Sequence, residues 1–129
     1  MVPGNYDITI YRGGTFSVGI NAENAAGVAI DFSTYDSVRM QIRPAWIKKH
    51  GNSPMVPLLE LTTDNGGIEV VTTTLTMFIS AADTAALTFN EGRYDLELVT
   101  DAVVGPPVVA EVVDKILVGL VKVTGEITL

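Results

Sequence analysis

The sequence predicts an all-β domain of antiparallel sheets, and three observations carry that reading. Apolar and polar residues alternate with a period of two over most of the chain. Turn signals separate the alternating runs, and helical signals are confined to one short stretch. Taken in order, Ile8 and Ile10 alternate with Asp7, Thr9 and Tyr11, and Phe16, Val18 and Ile20 with Ser17, Gly19 and Asn21. Val38, Met40 and Ile42 alternate with Arg39, Gln41 and Arg43, the cleanest strand in the chain. Leu59 and Leu61, then Leu75, Met77 and Ile79, then Tyr94, Leu96 and Leu98 repeat the pattern. Side chains on a strand point alternately to its two faces, so each run has one face for the core and one for water.

The punctuation agrees with the strands. Gly13-Gly14 divides the first two runs and Ala25-Ala26-Gly27 closes the second. Asp64-Asn65-Gly66-Gly67 is the strongest turn signature and predicts a hairpin, because Asn and Gly accept the positive φ angles of tight turns. Asn90-Glu91-Gly92 leads into the Tyr94 run, and Gly105-Pro106-Pro107 interrupts a valine-rich stretch. Ser80 is an N-cap residue with Asp83 three positions on, so one short connector helix is expected near residues 80–87.

The valine-rich stretch Val108–Val123 breaks the alternation, with Ile116, Leu117, Val118, Leu120 and Val121 apolar on both faces. Such runs belong to strands covered on both sides. In a two-layer fold the second cover is either a neighbouring loop or another protein subunit.

Composition narrows the class. A chain of 129 residues is one domain, 1–129, long enough to bury a core without disulfides. The absence of cysteine removes thiolate metal sites and thiol nucleophiles. A net charge of −7 and a pI near 4.4 argue against nucleic acid as a partner. Mean hydropathy is high at +0.35, yet the longest uncharged run, Val70–Ala82, is 13 residues and rich in threonine. A bilayer span needs about 20 apolar residues, so no membrane partner is expected. Met1–Asp7 has neither the basic nor the apolar region of a signal peptide, which predicts a protein kept in the cytoplasm.

Catalytic chemistry finds no foothold, and the expectation is a protein that is not an enzyme, with no cofactor, metal or small-molecule substrate. His50 is the only histidine and sits in Lys48-Lys49-His50-Gly51, an exposed-loop context with no nucleophile elbow nearby. Asp95 and Glu97 share one strand face, as do Arg39 and Arg43, which points to cross-strand ion pairs rather than an acid–base dyad. Asp64-Asn65-Gly66 lacks the later acidic ligands of a calcium loop. Charge is uneven: residues 1–50 hold five basic and four acidic side chains, residues 51–129 three and eleven. One basic loop, Ala45-Trp46-Ile47-Lys48-Lys49-His50, carries the only tryptophan. Trp46 either caps an end of the fold or, with Ile47, anchors a partner whose acidic surface meets Lys48 and Lys49.

Ordered phrases along the chain supply a resemblance. They are Tyr6-Asp7-Ile8-Thr9-Ile10-Tyr11-Arg12-Gly13-Gly14-Thr15-Phe16, Ile30-Asp31-Phe32-Ser33-Thr34-Tyr35, Val38–Pro44, Leu58–Ile68, Ile79–Leu87, Gly92–Leu98 and Gly119–Thr124. They resemble a family of small structural proteins of tailed bacteriophages and prophages, usually of the tail and baseplate. They are similar also to the N-terminal β-sandwich of phage baseplate upper proteins. The resemblance implies an immunoglobulin-like antiparallel β-sandwich and a virion role exercised through protein–protein contacts. It further implies a place in the tail or baseplate, after assembly in the host cytoplasm. Partners would be other phage structural proteins and copies of the chain itself. Two loops, 44–57 and Asp101–Glu111, look longer than the family pattern and are where particle-specific contacts are expected. The candidate contact residues are Trp46, Ile47, Lys48, Lys49 and His50 in the first loop, with Ile116, Val118 and Leu120 on the apolar strand. Capsid decoration, a head–tail connector and a carbohydrate- or receptor-binding module are the alternatives; aromatic residues are too scattered to read as a sugar-stacking row.

Overall fold

The structure is a computed structural model that describes residues 3–44 and 57–125, and the strands it contains form two sheets around one core. Nine strands are described: β1 (Gly4–Asn5), β2 (Ile8–Tyr11), β3 (Phe16–Ile20), β4 (Ser37–Pro44), β5 (Leu59–Thr62), β6 (Ile68–Val71), β7 (Thr74–Ile79), β8 (Glu91–Thr100) and β9 (Val112–Thr124). The larger sheet has the order β1-β9-β8-β4-β5, with β2 continuing beside β9, and the smaller sheet is β3-β7-β6. That is the immunoglobulin-like arrangement, strands B-E-D facing G-F-C-C′. The first strand lies parallel to the last, through Gly4↔Leu117 for β1 and Ile8↔Val121 to Tyr11↔Thr124 for β2.

Alternation in sequence becomes burial in space. On β4, Val38, Met40 and Ile42 are buried while Ser37, Arg39, Gln41 and Arg43 are half-exposed on the outer face. Their partners across β8, Leu98, Leu96 and Tyr94, are buried on the same side. Leu75, Met77 and Ile79 from β7 meet them from the other sheet, with Phe32 from a short 3-10 turn (Phe32–Thr34) between. Leu96, Leu98, Met40, Ile42 and Met77 are wholly shielded from solvent. Each fully buried side chain of this size contributes about 1.5–3 kcal/mol of apolar transfer free energy.

The connector helix forms where its cap places it. The helix α1 spans Ala81–Ala85, and the Ser80 hydroxyl accepts from the Asp83 N–H at 3.2 Å. Thr84, fully buried, ties it to the β2–β3 turn: its hydroxyl accepts from the Gly13 N–H at 3.1 Å and lies 2.8 Å from the Gly14 carbonyl.

Two expectations are corrected. The Asp64–Gly67 turn is not a hairpin. It carries the chain from β5 in the larger sheet to β6 in the smaller one, so the strands it joins do not pair. Asn65 nonetheless does what its type suggests. Its Oδ1 accepts from the Thr62 and Gly67 N–H groups, each at 2.9 Å, and Gly66 takes φ +81°. A tight turn fixes a reversal of direction, but packing decides which sheet the next strand joins. The valine-rich stretch is also not a regular strand along its whole length. Strand β9 begins only at Val112, and its register shifts against β8 between Leu96 and Glu97, so that Leu96 faces Leu117 and Glu97 faces Lys115. The extra residue, Ile116, turns into the core. A bulge exchanges odd and even positions between faces, and part of the two-faced apolarity in the sequence is that exchange.

Candidate interaction surfaces

The outer face of the larger sheet is where its charged strand positions collect. Arg39 sits directly opposite Glu97 and pairs with it at 3.4 Å, as the shared strand faces predicted. Asp95 does not meet an arginine. Its neighbour on β4 is Gln41, and its Oδ2 pairs with Lys115 on β9 at 3.2 Å. Its Oδ1 is shielded from solvent and meets no hydrogen-bond donor among the described residues. The next rung sets Arg43 opposite Arg93, two guanidinium side chains on one face. Arg43 donates to Gln41 Oε1 beside it on the same strand.

Those two arginines line a groove of about 820 Å³ with Val118, Gly119 and Leu120 of β9, and Asn5, Asp7, Pro44, Tyr94 and Asp95 around them. The floor is built by an unusually close strand approach. Tyr94 reaches out of the core and donates its hydroxyl hydrogen to the Tyr6 carbonyl. The Tyr6 N–H bonds the Val118 carbonyl at 2.9 Å, and the Leu120 N–H bonds Asp7 Oδ1 at 2.9 Å. Gly119 makes this possible: a Cβ there would lie 2.1 Å from the Tyr6 carbonyl oxygen. Burial, with Tyr6 and Asp7 nearby, pushes the Tyr94 phenol well above its usual pKa, so it remains a donor.

At the other end of the β8–β9 pair stands a second surface. The chain between these strands forms a hairpin arm. Val103 and Val109 exchange both backbone hydrogen bonds, at 2.7 and 3.0 Å, and the Pro106–Pro107 bond at its tip is cis. The arm is moored at its base, where the Asp101 N–H donates to Asp36 Oδ2 at 2.7 Å. Every residue from Asp101 to Val113 except Gly105 is exposed. Val104 is 96% exposed and Val108 78%, with Val103, Val109, Val112 and Val113 also open to solvent.

The sequence-derived contact residues divide among these places. Leu120 is 49% exposed and Val118 half-buried, and both line the groove. Ile116 corrects its assignment: at 7% exposure the bulge has turned it into the core, away from any contact surface. Trp46, Ile47, Lys48, Lys49 and His50 lie outside the described residues. The Asp101–Glu111 loop, singled out for its length, is the arm. The facing pair Arg43 and Arg93 escaped the sequence, because strand neighbours are not readable from alternation. Among the described residues no group of His, Cys, Asp or Glu side chains is arranged to hold a metal ion, and no helix is long and apolar enough to cross a membrane.

Set against known proteins, the chain matches no family model and no curated sequence, so its fold and its surfaces are what bear on function.

Proposed function

We propose that this protein is a structural component of a tailed-bacteriophage virion, acting in the tail or baseplate through protein–protein contacts rather than as an enzyme. The observation that carries the reading is the arm. A run of exposed valines costs solubility when left in water, and a contiguous apolar surface of this kind belongs to a protein that meets a partner. Fully burying one such side chain contributes about 1.5–3 kcal/mol, enough for a few of them to hold a subunit in place when many contacts act together. The phrase-by-phrase resemblance to small phage tail and baseplate proteins supplies the setting, and the immunoglobulin-like sandwich suits a role in assembly.

Mass spectrometry of purified phage particles, with heads separated from tails, tests the proposal. The chain is expected in the tail fraction in several copies. Its absence from particles overturns the virion reading, and its presence with heads alone moves it to a capsid or connector role.

A further inference from the structure

We infer that the Asn65 side chain closes the outer edge of β5, standing where the backbone of an added strand would bond and keeping a second copy of this chain from pairing there. The inference does not depend on the virion reading, because it concerns how the free chain avoids pairing with itself.

The register on β4 settles which backbone groups β5 leaves over. Thr63 donates its N–H to the Val38 carbonyl at 3.1 Å, and Arg39↔Thr62, Met40↔Leu61 and Gln41↔Glu60 continue that ladder. Bonded and non-bonded pairs alternate along an antiparallel ladder. Leu61 therefore turns its N–H and C=O towards β4, while Glu60 and Thr62 turn theirs away. On that outer side β5 pairs with no strand among the described residues.

Asn65 takes one group from each of these two residues. Its Oδ1 accepts from the Thr62 N–H at 2.9 Å, and its Nδ2 donates to the Glu60 carbonyl at 3.0 Å. A carboxamide carries the same donor and acceptor as a peptide group, so it satisfies the edge as a strand would and then ends it. An added antiparallel strand would need both the N–H and the C=O of Glu60, or both of Thr62. With one of each already engaged, neither pair can close. The turn holds the amide in this place. Gly67 donates its N–H to the same Oδ1 at 2.9 Å, and the Asn65 N–H donates to Thr62 Oγ1 at 2.9 Å. Gly67 also lies so near β5 that a Cβ there would fall 2.7 Å from Leu61 Cδ2, so the turn itself flanks the edge.

The strand being kept out is a second β5. Antiparallel pairing centred on Leu61 sets Glu60 of each copy against Thr62 of the other, and every outward N–H and C=O of those residues finds a partner. No like charges meet in that pairing. Sheet edges are commonly protected by proline or by charge. Strand β5 has no proline, and its one charged side chain, Glu60, turns back to accept from Gln41 Nε2 on β4. The protection falls to Asn65.

Sedimentation velocity and residue-resolved amide exchange on the intact chain test this. In the wild type the Thr62 amide is expected to exchange slowly and the Glu60 amide fast, at every concentration. Asn65→Ala is expected to dimerise at concentrations about tenfold or more below the wild type, with a Thr62 amide that is fast when dilute and slows as the dimer fills. Because this change also loosens the turn, a second one separates an open edge from a weaker fold. Glu60→Pro removes an N–H that faces away from β4 and leaves the ladder in place. Added to Asn65→Ala, it is expected to return sedimentation to the wild-type pattern without returning the unfolding temperature. A Glu60 amide that slows as the wild type is concentrated overturns the inference, because the edge then pairs with Asn65 in position. So do an Asn65→Ala protein that sediments as the wild type and a double variant that associates as strongly as the single one.

Discussion

Gly119 and Tyr94 show how much one backbone crossing asks of two residues. The first strand lies against β9 only because Gly119 presents no side chain to the Tyr6 carbonyl, and Tyr94 then satisfies that carbonyl from below. Gly119→Ala is expected to cost about 3 kcal/mol in urea denaturation, since a Cβ at 2.1 Å meets a carbonyl that cannot swing aside. Tyr94→Phe leaves the same carbonyl without its donor and is expected to cost about 1–2 kcal/mol at neutral pH. The phenol also has a pH signature. Its pKa is raised in the folded protein, so the unfolded chain releases this proton first, near its ordinary value of about 10. Stability from this group is complete below that pH and falls as pH rises above it, by up to about 1.4 kcal/mol per unit. Denaturation between neutral and strongly alkaline pH is expected to show a steeper loss for the wild type than for Tyr94→Phe. Equal slopes would remove Tyr94 from the explanation.

At the scale of elements, side chains far apart in sequence fasten the first strand at its other end. The Arg12 guanidinium donates to the Leu87 carbonyl at 3.0 Å, the Phe89 carbonyl at 2.9 Å, Asn90 Oδ1 at 2.7 Å and the Gly125 carbonyl at 3.2 Å. One side chain thereby joins the end of β2 to the segment after α1 and to the end of β9. A lysine ammonium is a single point and cannot span four acceptors set around a planar fork. Both Arg12→Lys and Arg12→Met are therefore expected to lose about 2 kcal/mol, with amide exchange rising first in residues 8–12. Strand β9 teaches the complementary lesson. Its composition predicts a strand, and a strand it is, but the bulge at Ile116 decides which residues face out. Position in an apolar run makes Ile116 a contact candidate, and a one-residue irregularity takes it inside.

Across the whole molecule, stability should follow the order of the sheet. Strand β8 has β4 on one side and β9 on the other, with long ladders to both, whereas β5, β3 and β6 each have one edge unpaired among the described residues. Hydrogen exchange is expected to be slowest in β8 and the central part of β4 and fastest in the 101–111 arm. Slow exchange throughout the free monomer's arm would contradict its exposure.

Much of this is legible in the sequence. Period-two alternation identified the core faces of β2, β3, β4, β5, β7 and β8, because successive side chains on a strand must point opposite ways. Ser80 and Asp83 announced α1, since a helix start must satisfy its own N–H groups. Ile68–Val71 is short and half-exposed, so alternation does not mark it as a strand, and the Asp64–Gly67 turn has hairpin residues yet joins two sheets. Arg39 with Glu97 followed from shared faces, while Arg43 against Arg93 did not, because it required knowing that β4 and β8 are neighbours and in what register. The class of fold, most core residues and the place of the long valine loop follow from periodicity and turn chemistry, which are local. Which strands pair, where β9 slips its register and which charges meet across the sheet depend on segments far apart in the chain. Those are outcomes of non-local packing, where a one-residue shift turns a side chain from one face to the other.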